Sequence, residues 1–96
     1  IPPGTNILLT HGPAYEILDE CLAIDGTSYN IPRYVGCEDL LKRIEEIKPD
    51  IHIFGHIHSH GGRQVHRNAT SHYNACICDE MYMPTNPVTR IEYEIE

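Results

Sequence analysis

The sequence predicts an α/β fold, and three observations carry that expectation. Two short apolar runs, Ile7-Leu8-Leu9-Thr10 and Ile51-His52-Ile53-Phe54-Gly55, have the pattern of strands buried on both faces. An amphipathic stretch from Glu38 to Lys48 lies between them. Beyond Gly61-Gly62 the pattern changes to short strand-like segments. At 96 residues there is room for one small domain. A domain of this size buries only about 60–65% of its unfolded surface, so it leans on a metal, a disulfide or a partner.

The elements follow in order. After Pro2-Pro3-Gly4 the first strand ends at His11-Gly12-Pro13, a turn signal. The chain starts without Met, which either processing or a longer parent would explain. Residues 14–34 have weak periodicity, with Gly26 and Pro32 interposed, and read as a long surface segment with a helical turn within 15–22. Leu40, Leu41, Ile44 and Ile47 form one stripe of a helix; Glu38 and Asp39 suit its first turn, Lys48 its last, and Pro49 stops it. Arg63 to Arg67 and Ser71 to Cys78 read as strands about a turn at Asn68-Ala69. Residues 83–87 form a loop. Thr89 to Glu96 alternates, with Ile91, Tyr93 and Ile95 on one face, as a half-buried antiparallel strand does.

Fourteen acids against 7 bases give a net charge of −7, which argues against nucleic-acid and anionic-membrane partners. No apolar run reaches the roughly 18 residues of a membrane span, and no signal-peptide pattern opens the chain. The 4 cysteines (Cys21, Cys37, Cys76 and Cys78) read as reduced thiols of a cytoplasmic protein, because 41% hydrophobic content does not suit a disulfide-dense scaffold. Cys76 and Cys78 would point the same way along a strand.

A metal site is the sharper expectation. Five of the 7 histidines (His52, His56, His58, His60 and His66) fall within residues 52–66. His56 and His58 follow a buried strand and a glycine. If the backbone stays extended, both imidazoles project to one side; if it turns at Gly55, they reach two neighbouring metals. His11 ends the other buried strand, and adjacent strands would bring the three rings together. His52, His60, His66 and His72 read instead as hydrogen-bonded surface groups. Other metal motifs fit poorly. A metallo-β-lactamase needs H-x-H-x-D-H, where this chain has His60 and Gly61, and amidohydrolases need a far longer barrel. A cupin wants Glu near Gly62 or Arg63. A structural zinc site on Cys76, Cys78 and two histidines lacks the usual C-x₂₋₄-C spacing.

Leu8-Leu9-Thr10-His11-Gly12-Pro13 and Phe54-Gly55-His56-Ile57-His58 resemble, in order, the last two metal-binding blocks of the calcineurin-like metallophosphoesterase family. Gly36-Cys37-Glu38-Asp39-Leu40-Leu41, Asn74-Ala75-x-x-Cys78 and Pro84-Thr85-Asn86-Pro87 are similar to its small metallophosphoesterase-domain subgroup, related to class III cyclic-nucleotide phosphodiesterases. The resemblance covers nearly the whole chain. It implies the C-terminal half of a four-layer αββα sandwich with mixed sheets, residues 1–96 being a single incomplete domain. By that resemblance His11 and His56 bind a second metal and His58 the first, within a dinuclear centre of Mn, Fe, Zn, Ni or Co.

The family's earlier blocks, D-x-H, G-D-x-x-D and G-N-H-D/E, have no counterpart ahead of His11. They carry the remaining first-metal ligands, the bridging Asp, an Asn ligand and the His that assists phosphate chemistry. Ser59-His60-Gly61-Gly62 replaces the subgroup's Glu-Gly-Tyr-Gly. The implied activity is hydrolysis of a phosphodiester or phosphomonoester, nucleotides included, by a metal-activated water. Alone, the chain is expected to be inactive and to bind one Zn or Ni weakly through His11 and His56. The implied partner is the N-terminal half of the same domain or a complementary chain, with self-association at open strand edges as a further expectation. The other function class is a noncatalytic metal-binding or interaction module that has lost the front of the fold.

Overall fold

The computed structural model describes residues 1–24 and 30–94. Its elements are β1 (Ile7–Leu9), β2 (Glu20–Ile24), β3 (Asn30–Tyr34), α1 (Glu38–Ile47), β4 (Ile51–Phe54), a 3-10 turn (His58–His60), β5 (Gln64–Arg67) and β6 (Thr70–Asn74). Four strands form a mixed sheet in the order β1-β4-β6-β5. β1 and β6 flank β4 in parallel, whereas β5 pairs antiparallel with β6. The outcome is a small mixed α/β domain, with α1 as the crossover between β1 and β4.

Helix α1 forms where its stripe predicts. The Cys37 sulfur accepts the Leu40 N–H at the N-cap, and Glu38 and Asp39 face the positive end of the helix dipole. Ile44 is buried with Ala14, Ile17 and Phe54, and Leu8, Leu40 and Leu41 pack against that cluster. Lys48 is not a last-turn residue. It takes a left-handed C-cap (φ 50°), its N–H bonded to the Ile44 carbonyl at 2.7 Å, ahead of the buried Pro49.

Several expectations about the strands and loops change. β1 is an edge strand, not a strand buried on both faces: Ile7 is 43% and Leu9 71% exposed, while Leu8 turns to the core. Residues 15–22 contain no helical turn; Glu16 (φ 65°) and Leu18 (φ 51°) are left-handed, and a β2–β3 hairpin follows. Hairpin ladders need only backbone pairing, so weak side-chain periodicity hid this one. The β2–β3 connection at residues 25–29 lies outside the described residues. β6 ends at Asn74, so Cys76 and Cys78 lie beyond the strand. Residues 89–94 join no ladder among the described residues, although Ile91 and Tyr93 are half-buried and Arg90, Glu92 and Glu94 exposed, as alternation predicts; Ile95 and Glu96 lie outside the description. The Tyr93 hydroxyl donates to the Asp50 carboxylate. No helix among the described residues is long and apolar enough to cross a membrane.

The segment after β1 is pinned by polar contacts. Asp19, 1% exposed, accepts the N–H groups of Glu16 (3.0 Å) and Gly36 (2.7 Å) through one carboxylate oxygen. Gly36 has no substitute here, because a Cβ would sit 2.3 Å from the Ala14 carbonyl oxygen.

Two histidines expected at the surface are instead buried in the sheet. His52 and His72 are 0% and 1% exposed, side by side in register on β4 and β6. Their Nδ1 atoms lie 2.9 Å apart. Burial, and then the neighbouring His72, lowers His52 to about 4. Burial also lowers His72 to about 4, helped by Arg67 and His66. The unfolded chain therefore takes up protons between roughly pH 6.5 and 4 that the folded chain refuses. Stability is fully present above pH 6.5 and is lost as pH falls toward 4, by about 3 kcal/mol for a ring shifted this far. Urea unfolding across this range is expected to show that slope, and His72→Gln to flatten it; an unchanged slope in the variant would exclude the pair as its source.

Candidate metal centre

The β1–β4 ladder continues past both strand ends. Thr10 N–H donates to the Ile53 carbonyl at 3.0 Å, and Gly55 N–H to the His11 carbonyl at 3.1 Å. This places His11 and His56 at the C-terminal ends of adjacent parallel strands, where open α/β sheets put ligands. Their ring centroids are 4.8 Å apart, and both residues are exposed. Neither ring hydrogen-bonds to another described residue, which leaves their nitrogen lone pairs open.

The chain turns at this point. Ile57 N–H bonds back to the Gly55 carbonyl at 2.9 Å across His56, whose φ is 73°. This is the rare, strained γ-turn with positive φ. The extended alternative for His56 and His58 is thereby excluded. His58 opens the 3-10 turn, and its Nδ1 lies 3.1 Å from the Asp79 carbonyl. A carbonyl only accepts, so Nδ1 carries the proton and Nε2 keeps its lone pair, the arrangement that metal-bound imidazoles adopt. The Tyr82 ring stands edge-on to His58 at 5.2 Å.

The loops that carry these rings are tied down by two side-chain amides, one buried and one half-buried. Asn74, fully buried, donates to the Ile57 carbonyl (2.8 Å) and accepts the Cys76 N–H (3.0 Å). Asn86 donates to the carbonyls of Cys76 and Cys78, both at 3.2 Å. Gly61 admits no side chain, since a Cβ would lie 2.5 Å from the Cys76 carbonyl oxygen. The Asp79 carboxyl is held below the usual carboxylate range by the Met83 N–H, with the Met81 N–H and Thr85 hydroxyl adding to it. Sequence reasoning gave Asn74 and Asn86 only as parts of a family pattern; their amide bonds had no signal of their own.

A groove of about 820 Å³ runs beside the site, lined by His56, His58, His60, Tyr82 and the acids Glu20 and Glu80. His60 Nε2 donates to the Glu20 carbonyl (2.7 Å), and Arg63 donates to His60 Nδ1 (2.9 Å). His66 is exposed and bonded to Ser71. Among the described residues no group of three His, Cys, Asp or Glu side chains is placed to hold a metal ion. That includes the Cys76–Cys78 pair, and burial pushes the Cys76 thiol up. The letters D-x-H do occur at Asp50-Ile51-His52, but there His52 is committed to the buried row. His11 and His56 are thus adjacent imidazoles with open lone pairs, the donor type that suits transition-metal ions, whereas His58, its tautomer set by the Asp79 carbonyl, is not grouped with them.

Two consequences can be measured by urea unfolding. Asn74→Ala strands the Ile57 carbonyl and the Cys76 N–H in the interior and is expected to cost about 3 kcal/mol. His56→Gly removes the same ring as His56→Ala but relieves the left-handed backbone, and should be the more stable of the two by about 1 kcal/mol. Equal stability would mean the turn stores no strain.

No protein-family model matches the chain. It is 36% identical over 91 residues to metallophosphoesterase domain-containing protein 1 of Homo sapiens and to its Mus musculus counterpart, covering 91% of this chain and 24% of each relative. It is 39% identical over 80 residues to UPF0046 protein K07C11.7 of Caenorhabditis elegans, covering 83% of the chain and 24% of that protein. The chain thus spans about a quarter of the length of these relatives. Sustained over nearly all of its residues, this is a similarity to one segment of proteins that include a metallophosphoesterase domain-containing protein.

Proposed function

We propose that residues 1–96 are the C-terminal portion of a calcineurin-like metallophosphoesterase domain of the small subgroup related to class III cyclic-nucleotide phosphodiesterases. In this reading His11, His56 and His58 are its histidine ligands, and its reaction is hydrolysis of a phosphodiester or phosphomonoester. The observation that carries the proposal is the juxtaposition of His11 and His56 at adjacent strand ends. The similarity to metallophosphoesterase-domain relatives supports the reaction class. The uncovered Ile7 and Leu9 are what β1 would present if a second sheet packed there, as in a four-layer sandwich.

Two metal ions, when bound, supply an activated water and neutralise charge on the phosphate. The chain's own groups do the rest. His11 and His56 offer two imidazole donors to one ion, and His58, oriented by the Asp79 carbonyl, offers Nε2 to the other. Glu20 and Glu80 make the groove unfavourable to a bare phosphate, so cations are needed before an anionic substrate can dwell there. Without a bridging carboxylate, the three imidazoles alone hold two dications poorly. The chain by itself should therefore be inactive, completed by the N-terminal half of the domain or a complementary chain.

Hydrolysis of bis-p-nitrophenyl phosphate with added Mn²⁺ tests this, alongside native mass spectrometry and elemental analysis. The complete polypeptide containing these residues is expected to carry about two metals and to hydrolyse the diester. His56→Ala in it should lower the rate by at least about 100-fold, as loss of a metal ligand commonly does more than loss of its support. The isolated chain should hydrolyse nothing measurable. Ordinary metalloenzyme rates from the isolated monomer would overturn the incomplete-site account, and a metal-free, inactive complete polypeptide would overturn the phosphoesterase reading.

A further inference from the structure

The buried histidine row reaches the candidate metal centre through one hydroxyl. Thr10 Oγ1 lies 2.7 Å from the Gly12 carbonyl and 2.8 Å from His52 Nε2. The carbonyl can only accept, so the single hydroxyl proton goes to Gly12. Thr10 must then accept from His52, which fixes the proton of His52 on Nε2 and leaves its Nδ1 as an acceptor. His72 Nδ1, 2.9 Å away, has to be the donor. Each contact has one allowed direction, and the chain of bonds ends on the residue next to His11. Gly12 in turn lies against His56, whose Cβ and Cδ2 would each be 3.9 Å from a Cβ built there.

We propose that Thr10, His52 and His72 are positioning residues, a one-way hydrogen-bond chain from β6 through β4 to the Gly12 carbonyl that holds the His11–Gly12 turn with the His11 ring against His56. Burying two imidazoles in a sheet this small is costly unless their polar atoms are paired, and here both nitrogens of His52, the Nδ1 of His72 and the Thr10 hydroxyl are paired in sequence. A proton added to His52 would set N–H against N–H across the contact with His72. The charged and titratable groups around His72 are His66 and Arg67 from β5, and Glu45 of α1 and its C-cap Lys48 line the cleft it borders. Glu16 and Glu45 lie 3.9 Å and 3.7 Å from the Arg67 guanidinium and hold it in place.

The consequence for cation binding rests on His11 and His56 being ligands, whereas the tautomers and the ring contact do not. The test is run on the complete polypeptide at pH 7.5 with three readouts. Long-range ¹H–¹⁵N imidazole spectra should show His52 protonated at Nε2 and His72 at Nδ1. Thr10→Val should keep the circular dichroism of the parent, lose the nuclear Overhauser contact between the His11 and His56 rings, and weaken Zn²⁺ binding by about 10-fold or more in titration calorimetry. Thr10→Ser, which keeps the hydroxyl, should restore both. A His52 tautomer protonated at Nδ1, or a Thr10→Val protein that retains the ring contact, overturns the proposal, and the wild-type spectrum decides it even if the valine variant does not fold. If the wild-type takes up no Zn²⁺ at all, the ligand reading fails while the tautomers and the ring contact still judge the chain of bonds.

Discussion

Everything at the candidate site depends on the parallel pairing of β1 with β4 and on its continuation past both strands. A three-residue strand at a sheet edge is a weak element by itself. Its register, Ile7 to Ile51 and Leu9 to Ile53, is extended by the Thr10–Ile53 and His11–Gly55 backbone bonds, and these carry the loops out together. A slip of one residue would turn His11 away from His56 and put Leu8 on the wrong face. The pairing therefore fixes the core contact of Leu8 and the meeting of the two imidazoles at once. Stability and site geometry share one set of hydrogen bonds here.

The second constraint is local strain held by distant anchors. His56 sits at a positive φ that an L-residue adopts only when its surroundings insist. The insistence comes from three directions: the Gly55 bond to His11, the Asn74 amide on the Ile57 carbonyl, and Gly61 packed against the Cys76 carbonyl. Asn74 is the last residue of β6, so the strand that ends beside β4 also clamps the turn that leaves it. Strain at His56 turns the ring toward His11 and sends the chain into the 3-10 turn that presents His58 separately. The two histidines of the H-x-H motif thus serve different directions, although they are only two residues apart.

Much of this was legible in the sequence, and the physical reasons for the rest are specific. The strand cores and the strand-end position of His11 and His56 follow from apolar runs that stop near glycine, and α1 follows from an apolar stripe stopped by Pro49, signals that depend on local chemistry alone. The His52–His72 pair was illegible because histidine on a strand is ordinarily a surface group; only the parallel register of β4 with β6, a non-local fact, makes the pair mutually satisfying. The β2–β3 hairpin lacked any periodic side-chain pattern to announce it. Residues 89–94 show the opposite failure: alternation correctly separates half-buried from exposed residues, yet alternation cannot say whether a strand edge is there to receive them. Asn74 and Asn86 look like ordinary polar residues until the carbonyls they serve are placed.

The same sheet shows two deficits that have one physical resolution. Ile7 and Leu9 expose an apolar face on β1, at a cost in hydration of about 25 cal/mol for each Å² left uncovered. The imidazoles at its C-terminal end offer neutral donors only, in a groove whose acids, Glu20 and Glu80, are set beside the site and not in a ligand cluster with it. Neutral donors leave a dication's charge uncompensated, and dinuclear centres answer that with bridging carboxylates. A layer packed over β1 would cover the apolar residues, and carboxylates on its strand ends would arrive at the same edge of the sheet as His11 and His56. In the proposed reading, one added sheet would satisfy both the hydrophobic and the electrostatic demand, since both arise at the same edge of the sheet.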